Sequence, residues 1–236
     1  FALFKTGAIL VAADPGMGIK HLKQCLAEAQ PEVFIGIPVA HLARIFFGWA
    51  KDTVKINITT GASLYPGINS LKKIRSLGGH SDKAVSIDTK TEETAAILFT
   101  SGSTGIPKGA VYTHANFNAQ LESLKQLYTI TPGEIDLATF PLFALYGPAM
   151  GMTSIIPDMD FTQPGKVSPE KIINAIETFK PTTMFGSPAL LNRVGRWATS
   201  RDKKLFSLKR VLSAGAPVSA DIIERFNGLI NDNAQI

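Results

Sequence analysis

The sequence predicts an α/β fold of mostly parallel sheets covered by helices, and three observations carry that prediction. Short apolar, β-rich runs alternate with amphipathic runs of helical period along the whole chain. The later helices announce their starts. Ser168-Pro169-Glu170 offers a capping hydroxyl, a proline at the first position and an acid in the first turn, Ser187-Pro188 repeats the device, and Ser219 opens a last helix. Hydrophobic residues make up 45% of 236 and charged residues 18%, enough apolar material for a sizeable core.

Taken in order, Ala8 to Ala12 reads as a strand stopped by Asp14-Pro15-Gly16. A helix follows from about Gly18, with Ile19, Leu22, Leu26 and Ala29 on one stripe. Val33 to Ile37 is strand-like, Ala40 to Trp49 helical and Val54 to Ile58 strand-like again. Thr59 to Glu93 shows the least pattern and is expected to hold surface structure and connections. Ala95 to Phe99 is a buried strand, Ala110 to Tyr112 a short extended piece and Asn116 to Tyr128 a helix. Strands at Thr182 to Phe185 and Lys209 to Ser213 alternate with the three late helices. The chain opens inside an apolar run at Phe1 and closes at Ile236 without an evident ending, so a domain cut at both ends is expected.

Several function classes are disfavoured. The net charge of +5 is spread over short pairs such as Lys72-Lys73 and Lys203-Lys204, not the dense basic stripe of a nucleic-acid surface. The single cysteine, Cys25, excludes an intrachain disulfide framework, reads as a small core residue and fits a reducing cytoplasm. No signal peptide is visible. The apolar stretch from Leu137 to Ile156 contains Pro141, Gly147, Pro148 and Gly151, which argues for two buried strands joined by a pocket-lining loop and against a membrane span. His21, His41 and His80 lack metal-ligand spacing, and His114 has no partner acid in sequence, so a structural role is expected for it. Asp158 and Asp160 read as a polar strand-end turn.

The chemistry concentrates in Thr100-Ser101-Gly102-Ser103-Thr104-Gly105-Ile106-Pro107-Lys108-Gly109. This run places four hydroxyls, three glycines and one lysine directly behind a strand. Its glycines permit close backbone approach, and Ser101, Ser103, Thr104 and Lys108 supply donors and charge for a triphosphate. Neither the Walker spacing nor the dinucleotide fingerprint is present. Ligands of open parallel sheets sit beyond the C-terminal ends of strands. The glycine-rich run, Phe143 to Gly147, Gly186-Ser187 and Ala214 to Pro217 all follow strands, and are expected at one such edge.

The stretch from Leu98 to Gly109, with Val111 to Asn116 behind it, closely resembles the signature loop of the adenylate-forming superfamily of acyl-CoA synthetases, luciferases and peptide-synthetase adenylation domains. The resemblance implies part of a large N-terminal domain, with the C-terminal domain lying outside this sequence. It implies attack of a carboxylate on the α-phosphorus of ATP, giving acyl-AMP and pyrophosphate. Thr100, Ser101, Gly102, Ser103, Thr104, Gly105 and Lys108 would hold the phosphates, with Thr104 and Lys108 nearest the chemistry. Ala214, Gly215, Ala216 and Pro217 resemble the adenine-contacting turn. Mg2+ is implied with ATP, its usual carboxylate ligand falling past Ile236. Phe143, Tyr146, Gly147, Met184, Phe185, Gly186 and Ser187 correspond to the acyl pocket, with Ala144 where many relatives carry histidine.

The segments around Phe140, Ser154 and Met184 most resemble the branch of the family that serves bacterial long-chain olefin biosynthesis. That branch implies a β-hydroxy fatty acid whose hydroxyl closes a β-lactone. A long-chain acyl-CoA synthetase, with CoA as acceptor, and a non-catalytic nucleotide-binding relative are the alternatives. A cytoplasmic setting and association with other lipid-pathway enzymes accompany this reading.

Overall fold

Three sheets carry the chain, and among the described residues only one pairing of named strands is antiparallel. The computed structural model describes residues 1–13, 15–63, 65–79, 86–100, 107–140 and 143–236. The chain divides into two compact units, Phe1–Phe117 and Asn118–Ile236.

The first unit runs α1 (Ala2–Lys5), β1 (Leu10–Ala13), α2 (Ile19–Ala29), β2 (Val33–Gly36), α3 (Pro38–Phe47), β3 (Ile56–Thr59), β4 (Ile68–Ser70), α4 (Leu71–Gly78), β5 (Thr94–Thr100) and β6 (Lys108–Thr113). Strands β2, β3 and β4 form one parallel sheet in that order. β1 pairs in parallel with β5, from Leu10 opposite Ala96 to Ala13 opposite Phe99. α3 shows the usual asymmetry of a helix, with Pro38 pre-setting its start and Gly48, at φ 64°, turning the chain out of its end. Cys25 is a buried residue of α2, as its apolar setting predicts. His114 starts α5 (His114–Tyr128), and its ring meets the Phe4 ring edge-on at 6.4 Å.

The second unit runs β7 (Ile135–Leu137), α6 (Phe143–Ala149), β8 (Thr153–Ile155), α7 (Pro169–Phe179), β9 (Thr183–Phe185), α8 (Pro188–Thr199), β10 (Arg210–Leu212) and α9 (Ala220–Asn227). Its sheet has the order β10-β9-β7-β8 and is parallel throughout. Leu137, Met184 and Val211, one from each of three strands, share a core with Ile172, Ile173 and Ile176 of α7, Leu190, Leu191 and Val194 of α8, and Phe226 of α9. Each such side chain contributes about 1.5–3 kcal/mol through removal from water, so this core anchors the sheet edge. Gly195 lets α8 and α9 approach closely, since a Cβ there would lie 3.0 Å from the Phe226 ring.

Four expectations change. The irregular stretch after Thr59 contains β4 and α4, whose start is capped by Ser70 Oγ accepting from the Lys73 amide at 3.2 Å. The extended piece after the glycine-rich run is a six-residue strand running back along β5. The connection between β7 and β8 holds a helix, α6, with Pro148 inside it. Ser168 precedes α7 but its hydroxyl makes no capping bond, whereas Ser187 does cap α8.

Candidate functional site

The two ends of the glycine-rich run are held by antiparallel strands. β5 and β6 stay in register from Ala96 opposite Tyr112 to Thr100 opposite Lys108, so the last paired residues of the two strands flank the loop. Gly109 faces Phe99, and a Cβ on it would lie 3.0 Å from that ring, which fits a glycine used for packing as well as for the loop. Pro107 is buried while Lys108 is exposed, leaving its ammonium available to an anion. Ser101, Gly102, Ser103, Thr104, Gly105 and Ile106 lie outside the described residues, as does the side chain of Thr100.

The other three predicted segments share one sheet edge. Because β7, β8, β9 and β10 are parallel, the residues after β7, after β9 and after β10 emerge side by side. Ala214 to Pro217 form an exposed turn after β10, with Gly215 at φ 94° and no atom of the described residues within 4 Å of where its Cβ would be. Such a turn presents free backbone to a planar ligand. The glycine-rich run belongs to a different sheet, so three of the four segments, not all four, emerge from this one.

An aromatic cluster occupies the same edge. Phe143 of α6 stacks on Phe185 of β9, with ring centroids 4.3 Å apart and planes 15° from parallel. Phe140 meets both rings at 6.1 Å, and Tyr146 meets Phe143 at 6.1 Å. The Tyr146 hydroxyl donates to Gln120 Oε1 on α5. Met184, by contrast, is fully buried in the core and supports this wall from behind. Gly186 has no room for a side chain, since a Cβ would lie 2.5 Å from Leu191 Cδ2. Ser187 spends its hydroxyl on the Leu190 amide at 3.4 Å.

Some residues of this edge escaped sequence reasoning. Thr139 donates to the Phe185 carbonyl at 2.6 Å and ties the end of β7 to the end of β9. Asp136 on β7 is only 6% exposed, and burial pushes its carboxyl up to about 7. Its register partner on β8 is Ser154, whose hydroxyl is buried with no hydrogen-bond partner among the described residues. The alternating pattern of β7 held a signal, because an acid between Ile135 and Leu137 on a central strand is costly unless it serves something.

At the opposite edge of this sheet, Arg210 Nη1 and Nη2 donate to Glu134 at 2.8 and 2.9 Å. Burial works to raise the Glu134 carboxyl, but bonds from Arg210, from Thr182 and from the Thr131 amide outweigh it and hold the group at about 2. Asp158 and Asp160 are engaged locally, Asp158 with Lys171 at 2.5 Å and Asp160 with the Thr162 amide at 2.9 Å. They line a polar cavity of about 290 Å3 with Lys166 and Ser168. A cavity of about 700 Å3 in the first unit is lined by apolar residues of β1, α2 and β2. Among the described residues, no group of three or more His, Cys, Asp or Glu side chains is placed to hold a metal ion, and no helix is long and apolar enough to cross a membrane.

The chain is 45% identical to the olefin beta-lactone synthetase of Stenotrophomonas maltophilia and 44% identical to that of Xanthomonas campestris pv. campestris, in each case over 100% of this chain. It spans 42% and 41% of the lengths of those two relatives. The fold superposes on Mycobacterium smegmatis MbtA with a TM-score of 0.77 at 19% identity, over 96% of this chain and 41% of that one. The model of the family described as AMP-binding enzyme matches residues 1–236. The chain belongs to the AMP-binding enzyme family.

Proposed function

We propose that this chain supplies the ATP-gripping and acid-binding surfaces of a ligase that joins a long-chain β-hydroxy fatty acid to AMP and then closes it to a β-lactone. The observation that carries the reading is the identity, over the whole chain, to two proteins named olefin beta-lactone synthetase.

In the first step a carboxylate oxygen attacks the α-phosphorus of ATP, and the bond from that phosphorus to the pyrophosphate oxygen breaks. The leaving pyrophosphate gathers negative charge, so catalysis consists mainly of positioning and charge stabilisation. Lys108 offers a full charge beside the loop, and Thr100 to Gly105 are assigned to the same phosphates through hydroxyls and backbone amides. Ala214 to Pro217 are assigned to adenine. Phe143, Tyr146 and Phe185 are assigned to the acid's chain, with Gly147, Gly186 and Ser187 shaping their backbone and Met184 supporting them. In the second step the β-hydroxyl oxygen attacks the acyl carbon, AMP leaves with the bonding pair, and the hydroxyl proton passes to solvent. Mg2+ is implied as the companion of ATP, and among the described residues no cluster of three or more His, Cys, Asp or Glu side chains is placed to hold it. A cytoplasmic location, where ATP is at hand, and association with other enzymes of lipid metabolism go with this reading.

The test is product analysis by mass spectrometry. The full-length enzyme is supplied with ATP, Mg2+ and a long-chain 3-hydroxy acid, with and without CoA. A product lighter than the acid by one water, formed equally without CoA, is expected. A thioester formed only with CoA would replace the lactone step while leaving adenylation in place, and absence of acid-dependent ATP–pyrophosphate exchange would remove both steps. Residues 1–236 on their own are expected to show little or no exchange.

A further inference from the structure

The seat of α6 on its sheet depends on one missing carbon. A Cβ on Gly147 would collide with the Ser154 hydroxyl and lie 3.6 Å from both Ser154 Cβ and Asp136 Oδ2. The two polar residues are register partners on β7 and β8, so the helix backbone rests directly on them. Among the described residues Ser154 Oγ has no hydrogen-bond partner, and Asp136 is buried. An apolar pair of the same volume would form a cheaper seat, since unpaired buried polar atoms carry a desolvation cost. Stability alone does not account for the arrangement.

The same helix carries the aromatic wall. Positions three and four apart share a helix face, so Phe143, Tyr146 and Gly147 lie on one stripe of α6. Whatever sets the height of Gly147 over the sheet therefore sets the height of the two rings. Phe143 is already stacked on Phe185 at 4.3 Å, leaving little tolerance for movement.

We propose that Gly147, Ser154 and Asp136 are positioning residues that fix the distance of α6 from the sheet, and through it the width of the slot that selects the chain length of the acid. The proposal rests on the reading that Phe143 and Phe185 form the acyl wall. Among the described residues only the Ser154 oxygen blocks a larger residue at 147, because the Ser154 carbon is at ordinary contact distance. The two positions are therefore expected to compensate each other.

The experiment measures acid-dependent ATP–pyrophosphate exchange by the full-length enzyme across 3-hydroxy acids of increasing length. Gly147→Ala is expected to raise the half-saturating concentration of the preferred acid about tenfold and shift the preferred length, with the value for ATP unchanged. Ser154→Ala alone is expected to shift the profile in the opposite direction, as the helix settles closer to the sheet, and Gly147→Ala with Ser154→Ala to bring it back toward the parent's. Should Gly147→Ala fail to fold, recovery of folded enzyme with the original profile in the double variant still supports the seat. A double variant no closer to the parent than Gly147→Ala overturns it. Phe143→Ala separates the two readings. If it shifts the profile while Gly147→Ala does not, the seat fails alone, and if it too leaves the profile unchanged, the acyl wall and the seat fall together.

Discussion

Arg210 grips both carboxylate oxygens of Glu134 at 2.8 and 2.9 Å, joining residues 76 apart in sequence. Its Nη1 also donates to Thr183 Oγ1 at 2.8 Å and its Nη2 to the Thr129 carbonyl at 3.1 Å. Glu134 leads into β7, Thr183 starts β9 and Arg210 starts β10, so one guanidinium ties three strands together at the edge remote from the candidate ligand contacts.

Removing one partner of that pair leaves the other buried and uncompensated. Arg210→Met is expected to destabilise the fold by about 3–5 kcal/mol, and the Glu134→Gln/Arg210→Met double variant to recover much of the loss. Chemical denaturation of the four proteins in the cycle gives the answer. The Glu134 carboxyl is held at about 2, below its ordinary 4.5, so its contribution is present above 4.5 and disappears as pH falls toward 2. The double variant should lose that acid sensitivity.

Asp136 has the opposite sign. Its carboxyl stands at about 7 against an ordinary 3.8, so its protonated form favours the fold below 3.8 and the benefit is lost as pH rises through about 7. Asp136→Asn should therefore be more stable than the parent at pH 8, by on the order of 2–4 kcal/mol, with the gap closing toward pH 4. Urea melts at pH 4, 6 and 8 test this, and a gap independent of pH would count against a buried carboxyl.

Lys108 is exposed at the start of β6, so its loss should cost function and not folding. Lys108→Ala is expected to lower the exchange rate at least about tenfold, at the scale of one charge-assisted contact, while the melting temperature stays within a degree or so. Lys108→Arg should recover part of the rate. A full rate in the alanine variant would detach this lysine from the phosphates.

Gly186 offers a packing test. A methyl there meets Leu191, which is fully buried and cannot swing away, so Gly186→Ala is expected to cost about 1–3 kcal/mol. Adding Leu191→Val should return part of that loss in a thermal melt, whereas a solvent-facing Gly186 would show neither effect.

How much of this was legible depended on whether local pattern or tertiary contact decides. The late helices carried their own signals, and Ser187 caps α8 as its sequence indicates. Apolar periodicity puts Ile172, Ile173, Ile176 and Phe179 on one buried face of α7; the three isoleucines lie in the core, while Phe179, the helix's last residue, is exposed. The β4–α4 segment was missed although Ser70, Leu71 and Ile74 hold a cap and an apolar stripe, because the strand before it has only three residues. The direction of β6 was not written locally, since a strand's partner is chosen by pairing and not by composition. The polar pair beneath α6 was invisible for a similar reason. Asp136 and Ser154 become neighbours only through the β7–β8 register. Met184 and Phe185 show the converse, as one alternation of the strand sends the first into the core and the second toward Phe143.

The antiparallel return of β6 gives Lys108 a fixed address. Side chains of a strand alternate between the two faces of a sheet, so the residue paired with Thr100 is fixed by the parity of the β5–β6 ladder. Residues added between the two strands would lengthen the loop and leave that parity alone. A single residue deleted within β6 would instead slide the ladder by one step and turn the lysine to the opposite face. Variation in loop length is thus tolerable in a way that variation in strand length is not, and homologous enzymes that keep the lysine should differ in length between these strands sooner than within them.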